Sequence, residues 1–234
     1  RQLPRTLGRM ASPHAVAALA ARLGREPDPT TEFKILRSLG RARADDPDLA
    51  LEVAPLFAYV RRTIEDARRY ARHEASLRRD LDLTAVDAES GAGLLCELLG
   101  EERRRAVECA FRALGVLHPR ADLRSVHDAL TGDDDERRAA AHEILQHLVP
   151  AAVWTPLLAV IAGDGGADRT ALDHERELAL LLRDRSDSVR CVAAHHVAER
   201  RVVGLRPELA RLQRGASSSL VCRTFTQAME ILDV

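Results

Sequence analysis

Lysine is almost missing from this chain of 234 residues. Lys34 is the only one, and every other basic residue among the 35 Lys and Arg is arginine. So one-sided a choice reflects the base composition of the coding sequence, and arginine abundance alone does not point to nucleic acid. The formal net charge of −1 argues in the same direction, because a general nucleic-acid binder needs a basic surface that displaces phosphate counterions. Aromatic residues are scarce too, at four Phe, two Tyr and one Trp, which leaves no stacking platform for bases, and Trp154 reads as a core residue. Cys96, Cys109, Cys191 and Cys222 lie far apart, with no C-x-x-C and no His at zinc-finger spacing, so neither a disulfide framework nor a zinc site is expected. No apolar run approaches the roughly 20 residues that span a bilayer, and the start R-Q-L-P is not a signal peptide. An initiator Met is lacking as well. With L-P-R-T-L-G at 3–8 resembling the end of a helix pair, the chain is expected to be a piece of a longer protein.

What is present favours helix. Ala, Leu and Arg dominate, whereas runs of β-branched residues bounded by turns are nearly absent, so the expected class is all-α. The stretch S-D-S-V-R-C-V-A-A-H-H-V at 186–197 resembles the second helix of a HEAT repeat. It combines a small polar start that can cap free backbone N–H groups with Val189, Ala193 and Val197 at four-residue intervals, Ala194 permitting close approach and Arg190 at the rim. Similar starts recur at 28, 134 and 217, each leading into an apolar face. The interval from 186 to 217 suits two helices and two turns, while the wider gaps leave room for a Gly-rich insertion at 163–169 and an irregular middle.

Along the chain, helices are expected at 13–23 and 28–42, followed by two unusually long ones. The first runs from a start at Asp45-Asp46-Pro47-Asp48 through residues 49 to about 83, the second over 93–117 with Gly100 as a bend, stopped by His118-Pro119. Shorter helices follow at 123–130, 135–148, 150–161, 173–182, 188–200, 207–213 and 219–232. The expected organisation is one continuous HEAT-like α-solenoid, a superhelix of antiparallel helix pairs interrupted by the two long helices. Its parts are 1–48 with a truncated start, 49–118 as the long pair, and 119–234 as further repeats.

A narrower resemblance rests on L-P-R-T-L-G-R-M at 3–10, A-V-A-A-L at 15–19, R-R-T-I-E-D-A-R-R-Y-A at 61–71, A-F-R-A-L-G-V-L-H-P-R-A-D-L at 110–123 and D-D-E-R-R-A-A-A-H-E-I-L-Q-H-L-V-P at 134–150. These segments resemble the soluble HEAT region of bacterial membrane proteins related to ATP/ADP translocases, in which a major-facilitator-like unit is joined to HEAT repeats. The resemblance covers about residues 1–162. It implies a cytoplasmic domain held at the inner face of the membrane by a transmembrane part N-terminal to this chain. Nucleotide transport is not implied, because the membrane-spanning part is not in this sequence.

Chemical motifs are few. H-E-I-L-Q-H at 142–147 separates its histidines by five residues, which at about 100° per residue sets them roughly 140° apart, whereas the zinc-protease pattern needs a spacing of four. His142 is expected to be a partly buried structural residue. His195 and His196 are adjacent and face different ways. Asp164, Asp168, Asp173, His174, Glu175 and Glu177 surround the Gly-rich stretch, yet lack the alternating oxygen ligands of an EF-hand, so a flexible insertion is the reading. G-x-S-x-G and P-loop patterns are absent. No catalytic, metal-binding or cofactor-binding residue is assigned.

The surface candidate is the row Arg61, Arg68, Arg72 and Arg79, within roughly 20° of one line and about 27 Å long on the first long helix. Val60, Ile64, Ala67 and Ala71 form that helix's apolar face, Glu65 lies near the row, and Arg62, Arg69 and Arg78 flank it. The row reads either as a solvated face laced with intrahelical pairs or as a contact for anions, including anionic lipid headgroups. The expected function is that of a non-catalytic protein-interaction or regulatory domain without a cofactor. Its partner is another protein or a membrane-embedded part of the same chain. A free-standing HEAT scaffold for a protein or peptide is the alternative, and a DNA glycosylase on a HEAT fold fits the charge and the aromatic content poorly.

Overall fold

The computed structural model describes Pro4 and residues 12–26, 28–80, 90–163 and 174–233. Among these residues there are eleven α-helices, one 3-10 turn and no strand, so the chain is all-α. In order they are α1 (Pro13–Leu23), α2 (Pro29–Asp45), α3 (Val53–Asp80), α4 (Gly91–Leu117), α5 (Leu123–Thr131), α6 (Asp135–Leu148), α7 (Ala151–Ile161), α8 (His174–Leu181), α9 (Asp187–Glu199), the 3-10 turn Val203–Leu205, α10 (Arg206–Arg214) and α11 (Ser219–Leu232). No helix of the described residues is long and apolar enough to cross a membrane.

Side-chain caps open four of the helices. Ser12 accepts from the Ala15 N–H, Asp28 from Thr30, Asp122 from Ser125, and Asp134 from both Glu136 and Arg137. Proline occupies the first turn of α1 and α2, where its missing N–H would have been unsatisfied anyway.

Two expectations are corrected here. The first long helix begins at Val53 rather than at residue 49, because Asp46 ends the preceding helix instead of starting the next. Its N–H closes α2 on Ala42 O at 3.0 Å, Leu49 is buried in the link, and Pro55 then falls within the first turn of α3. Ser186 occupies the cap position of α9, but its side chain makes no capping bond. Its hydroxyl donates to Glu102 Oε1 at 2.7 Å instead. The remaining helices lie within a few residues of their expected bounds, and α4 is continuous through Gly100. Beyond Gly163, the Gly-rich stretch lies outside the described residues, as do positions 81–83.

The chain packs as two compact units, residues 1–68 with 103–165 and residues 69–102 with 166–234. These cut across the three stretches read from the sequence, because each long helix contributes one segment to each unit.

In the first unit α1 packs on α2, α5 on α6, and α6 on α7. Its core includes Leu19, Leu23, Ile35, Leu39, Leu56, Val60, Leu114, Leu145 and Leu157. In the second unit α8 and α11 both pack on α9, and α10 packs on α11. Its core includes Leu77, Leu95, Leu99, Leu178, Leu181, Val189, Val197, Leu209 and Phe225. Val189, Ala193, Ala194 and Val197 are fully buried, and Arg190 sits at the rim with its guanidinium 5.5 Å from the Phe225 ring centre. All four cysteines are free, Cys96 and Cys109 buried, Cys191 and Cys222 half-buried.

Candidate functional site

The arginines of α3 divide into two kinds, set by where the helix turns them. Val60, Ile64, Ala67 and Ala71 are all buried, so residues one position away stand at the margin of the packed face. Arg61 and Arg68 belong to the first unit, Arg72 and Arg79 to the second. Arg61 is exposed. Arg68 faces Glu65 at 3.4 Å with 42% of its side chain in solvent, Arg72 is half-buried and already engaged, and Arg79 donates to Ser76 Oγ at 3.3 Å. Three members of the row therefore have partners within the chain.

The flanking arginines are the structurally committed ones. Arg62 pairs with Glu32, which is only 4% exposed, donates to Gly24 O at 3.1 Å and lies over the Tyr59 ring. In the second unit Arg69 pairs with Asp184 at 3.2 Å and lies over the Tyr70 ring, whose hydroxyl donates to the other oxygen of Asp184 at 3.0 Å. Burial, reinforced by the Asp184 charge, drives the Tyr70 phenol well above its ordinary pKa, so it remains a donor at any physiological pH. One turn further along, His73 Nδ1 meets Glu177 Oε2 with both side chains buried. Sequence reasoning did not find these pairs. The available signal was an acidic or polar residue on an apolar stripe, as with Glu32 before Ile35 and Leu39, and Glu177 beside Leu178 and Leu181.

A cavity of about 550 Å³ opens in the first unit beside the C-terminus of α4. Arg43, Asp48, His118 and Arg120 supply its polar wall, and Leu117 and Leu148 are among its apolar lining. Arg43 donates to Leu49 O at 2.7 Å and Val116 O at 3.2 Å, so its charge is aimed at the carbonyl end of a long helix, where a cation is favoured. Arg120 and Asp48 pair at 2.8 Å near the surface. Burial lowers the pKa of His118. With its cations committed to carbonyls and a carboxylate, the cavity suits an amphipathic group rather than a dense anion.

The histidine motifs part company. His142 is half-buried and edge-on to Trp154 at 5.4 Å, while exposed His147 bonds back to Glu143 O at 2.8 Å. His195 is exposed and His196 is 1% exposed, facing His174 of α8 edge-on at 5.6 Å. Asp164, Asp168 and Asp173 lie outside the described residues, and Glu177 is taken by His73. Among the described residues no group of three or more His, Cys, Asp or Glu is arranged to hold a metal ion.

Fold and site together define an all-α protein with amphipathic helices, buried charge pairs and a mixed cavity in its first unit. Comparison with family models, with curated proteins and with solved structures finds no match.

Proposed function

We propose that this chain is a non-catalytic interaction domain built from HEAT-like helix pairs, whose role is to hold a partner protein. The observation that supports this most is the arrangement of the second unit. There α9 and α11, each started by a serine at its cap position and each the second helix of its pair, pack side by side, as second helices of stacked repeats do. Exposed Ile144, at 47% in the first unit, and Leu220, at 52% in the second, and the amphipathic cavity beside His118 in the first unit are separate places at which a partner can be probed. The resemblance of residues 1–162 extends the proposal to a place beside a transporter-like membrane unit, with the Arg61, Arg68, Arg72 and Arg79 row toward anionic headgroups.

The full-length protein, produced in its own cells with a photo-crosslinking residue at Arg120 beside the cavity or at Leu220, is expected to give a discrete adduct with one protein from at least one position. Diffuse or absent adducts from both would overturn the interaction reading. The membrane extension is checked separately by flotation with vesicles containing anionic lipid, where replacing the four arginines by Glu is expected to abolish co-flotation. Unchanged flotation removes the lipid contact and leaves the protein-binding reading standing.

A further inference from the structure

The described part of α8 runs from His174 to Leu181. Its apolar anchors are Leu178 and Leu181, its buried carboxylate Glu177 is met by His73, and its residue His174 is set against His196 of α9. The two imidazoles stand nearly perpendicular with centres 5.6 Å apart. Neither nitrogen of either ring finds a hydrogen-bond partner among the described residues.

The surroundings tell what a proton would meet. The charged and titratable groups acting on His196 are His174 from α8, Glu199 from its own helix and Arg200 at that helix's end. Glu199 Oε2 lies 3.5 Å from His196 Nδ1, and the same oxygen accepts the Gly91 N–H at 3.0 Å, so its lone pairs are shared with the start of α4. A Cβ on Gly91 would meet that carboxylate, so the Glu199 side chain would have to shift to make room for one. α11, which also packs on α9, buries Val221, Phe225 and Ala228. On α8, Glu175 lies against Gly204 of the 3-10 turn, and Glu177 is committed to His73.

We propose that the contact between His174 and His196 is a proton-operated latch that holds α8 against α9 and releases it in mild acid. Uncharged, the two rings pack as apolar edges and faces do. A proton on His196 puts a cation in a space with 1% exposure, beside an arginine and a second imidazole, with only a shared carboxylate in reach. That charge reaches water most easily by α8 leaving α9, which exposes the apolar faces carrying Leu178 and Leu181.

The direction of the pH dependence follows. Burial, the largest influence, holds the pKa of His196 below its ordinary value despite the pull of Glu199. The unfolded or released form therefore binds more protons, and the closed form, favoured above the ordinary histidine pKa of about 6.5, weakens as pH falls below it. Glu208, drawn down to about 2 by its bonds with Arg211 and Arg183, stays ionised throughout that window and does not contribute. The proposal is independent of the interaction reading, since it concerns how α8 is held rather than what the domain binds.

Amide hydrogen exchange on the whole chain at about pH 7.5 and about pH 5, corrected for intrinsic rates, tests it. Peptides covering α8 are expected to lose roughly tenfold of their protection at the lower pH while those covering α10 and α11 keep theirs. His196→Phe, which keeps an aromatic ring and removes the titration, is expected to abolish the difference. Equal loss in all three helices, or an unchanged loss in H196F, overturns the latch. Because H196F alters a buried site, the His196 ring is also titrated by NMR in the unmodified chain. A value below the ordinary histidine range is expected, and one at or above it sinks the proposal whatever the variant does.

Discussion

Arg201 stands in the left-handed region at φ 51°, the only residue other than glycine to do so among the described ones. Its conformation is fixed by the end of α9. The Val202 N–H returns to Val197 O at 3.0 Å and the Arg201 N–H to Ala198 O at 3.1 Å, a pair of bonds that requires a left-handed residue between helix and turn. Glycine is the usual occupant, and a Cβ there costs roughly 1–2 kcal/mol, offset in part by the greater freedom glycine has when unfolded. The Arg201 side chain is exposed, so little is lost with it. Arg201→Gly is accordingly expected to stabilise the chain by about 0.5–1 kcal/mol, read as a higher urea midpoint with unchanged slope. No sequence signal marks this position, because an arginine after A-E-R looks like an ordinary helix end. The same holds for the buried pairs. Glu177 on an apolar stripe announces that it needs a partner, but nothing within its own segment names His73, which lies 104 residues away in the chain.

At the scale of elements, legibility followed how local the deciding interaction was. Helices opened by a capping Asp or Ser within their own segment have nearly their expected starts, since Asp28 and Asp134 bond N–H groups two or three residues on. α3 starts later than its Asp-Pro signal predicts because Asp46 serves the previous helix, and Ser186 does not cap α9 because Glu102 of α4 takes its hydroxyl. Ser186 and Ser218 therefore look alike in sequence and differ in consequence. Neither makes a side-chain capping bond. At Ser218, Asp supplies a stronger acceptor and a charge that suits the helix dipole, so Ser218→Asp is expected to stabilise by about 0.5–1 kcal/mol. At Ser186, Asp can no longer donate to Glu102 and adds a third carboxylate near Glu102 and Asp184, whose Oδ1 accepts the Ser186 N–H at 2.8 Å. Ser186→Asp is expected to destabilise by about 1–3 kcal/mol. Opposite shifts in thermal midpoint confirm the distinction, and shifts of the same sign refute it.

For the whole molecule, the consequential fact is that two separate cores share two continuous helices. Composition and helical periodicity indicated the all-α class and the long pair, but not that α3 and α4 would each serve both cores, because the switch near Arg68 and Glu102 involves no break in the helical pattern. Residues 53–68 of α3 are held by the first core and 69–80 by the second, so local stability along one helix should follow two different clusters. Leu114 and Leu181 are both fully buried, one in each cluster. Truncating either to alanine removes packing worth about 2–5 kcal/mol. Leu181→Ala is expected to raise amide exchange in residues 69–80, 91–102 and 174–233 while residues 12–68 and 103–163 keep their protection, and Leu114→Ala is expected to do the reverse. The informative peptides are those on either side of residue 68, where protection within a single unbroken helix should change in opposite directions relative to each other in the two variants. Uniform loss across all of α3 in both variants would show that the two cores unfold as one, and that the long helices couple them more strongly than the separation of their side-chain clusters implies.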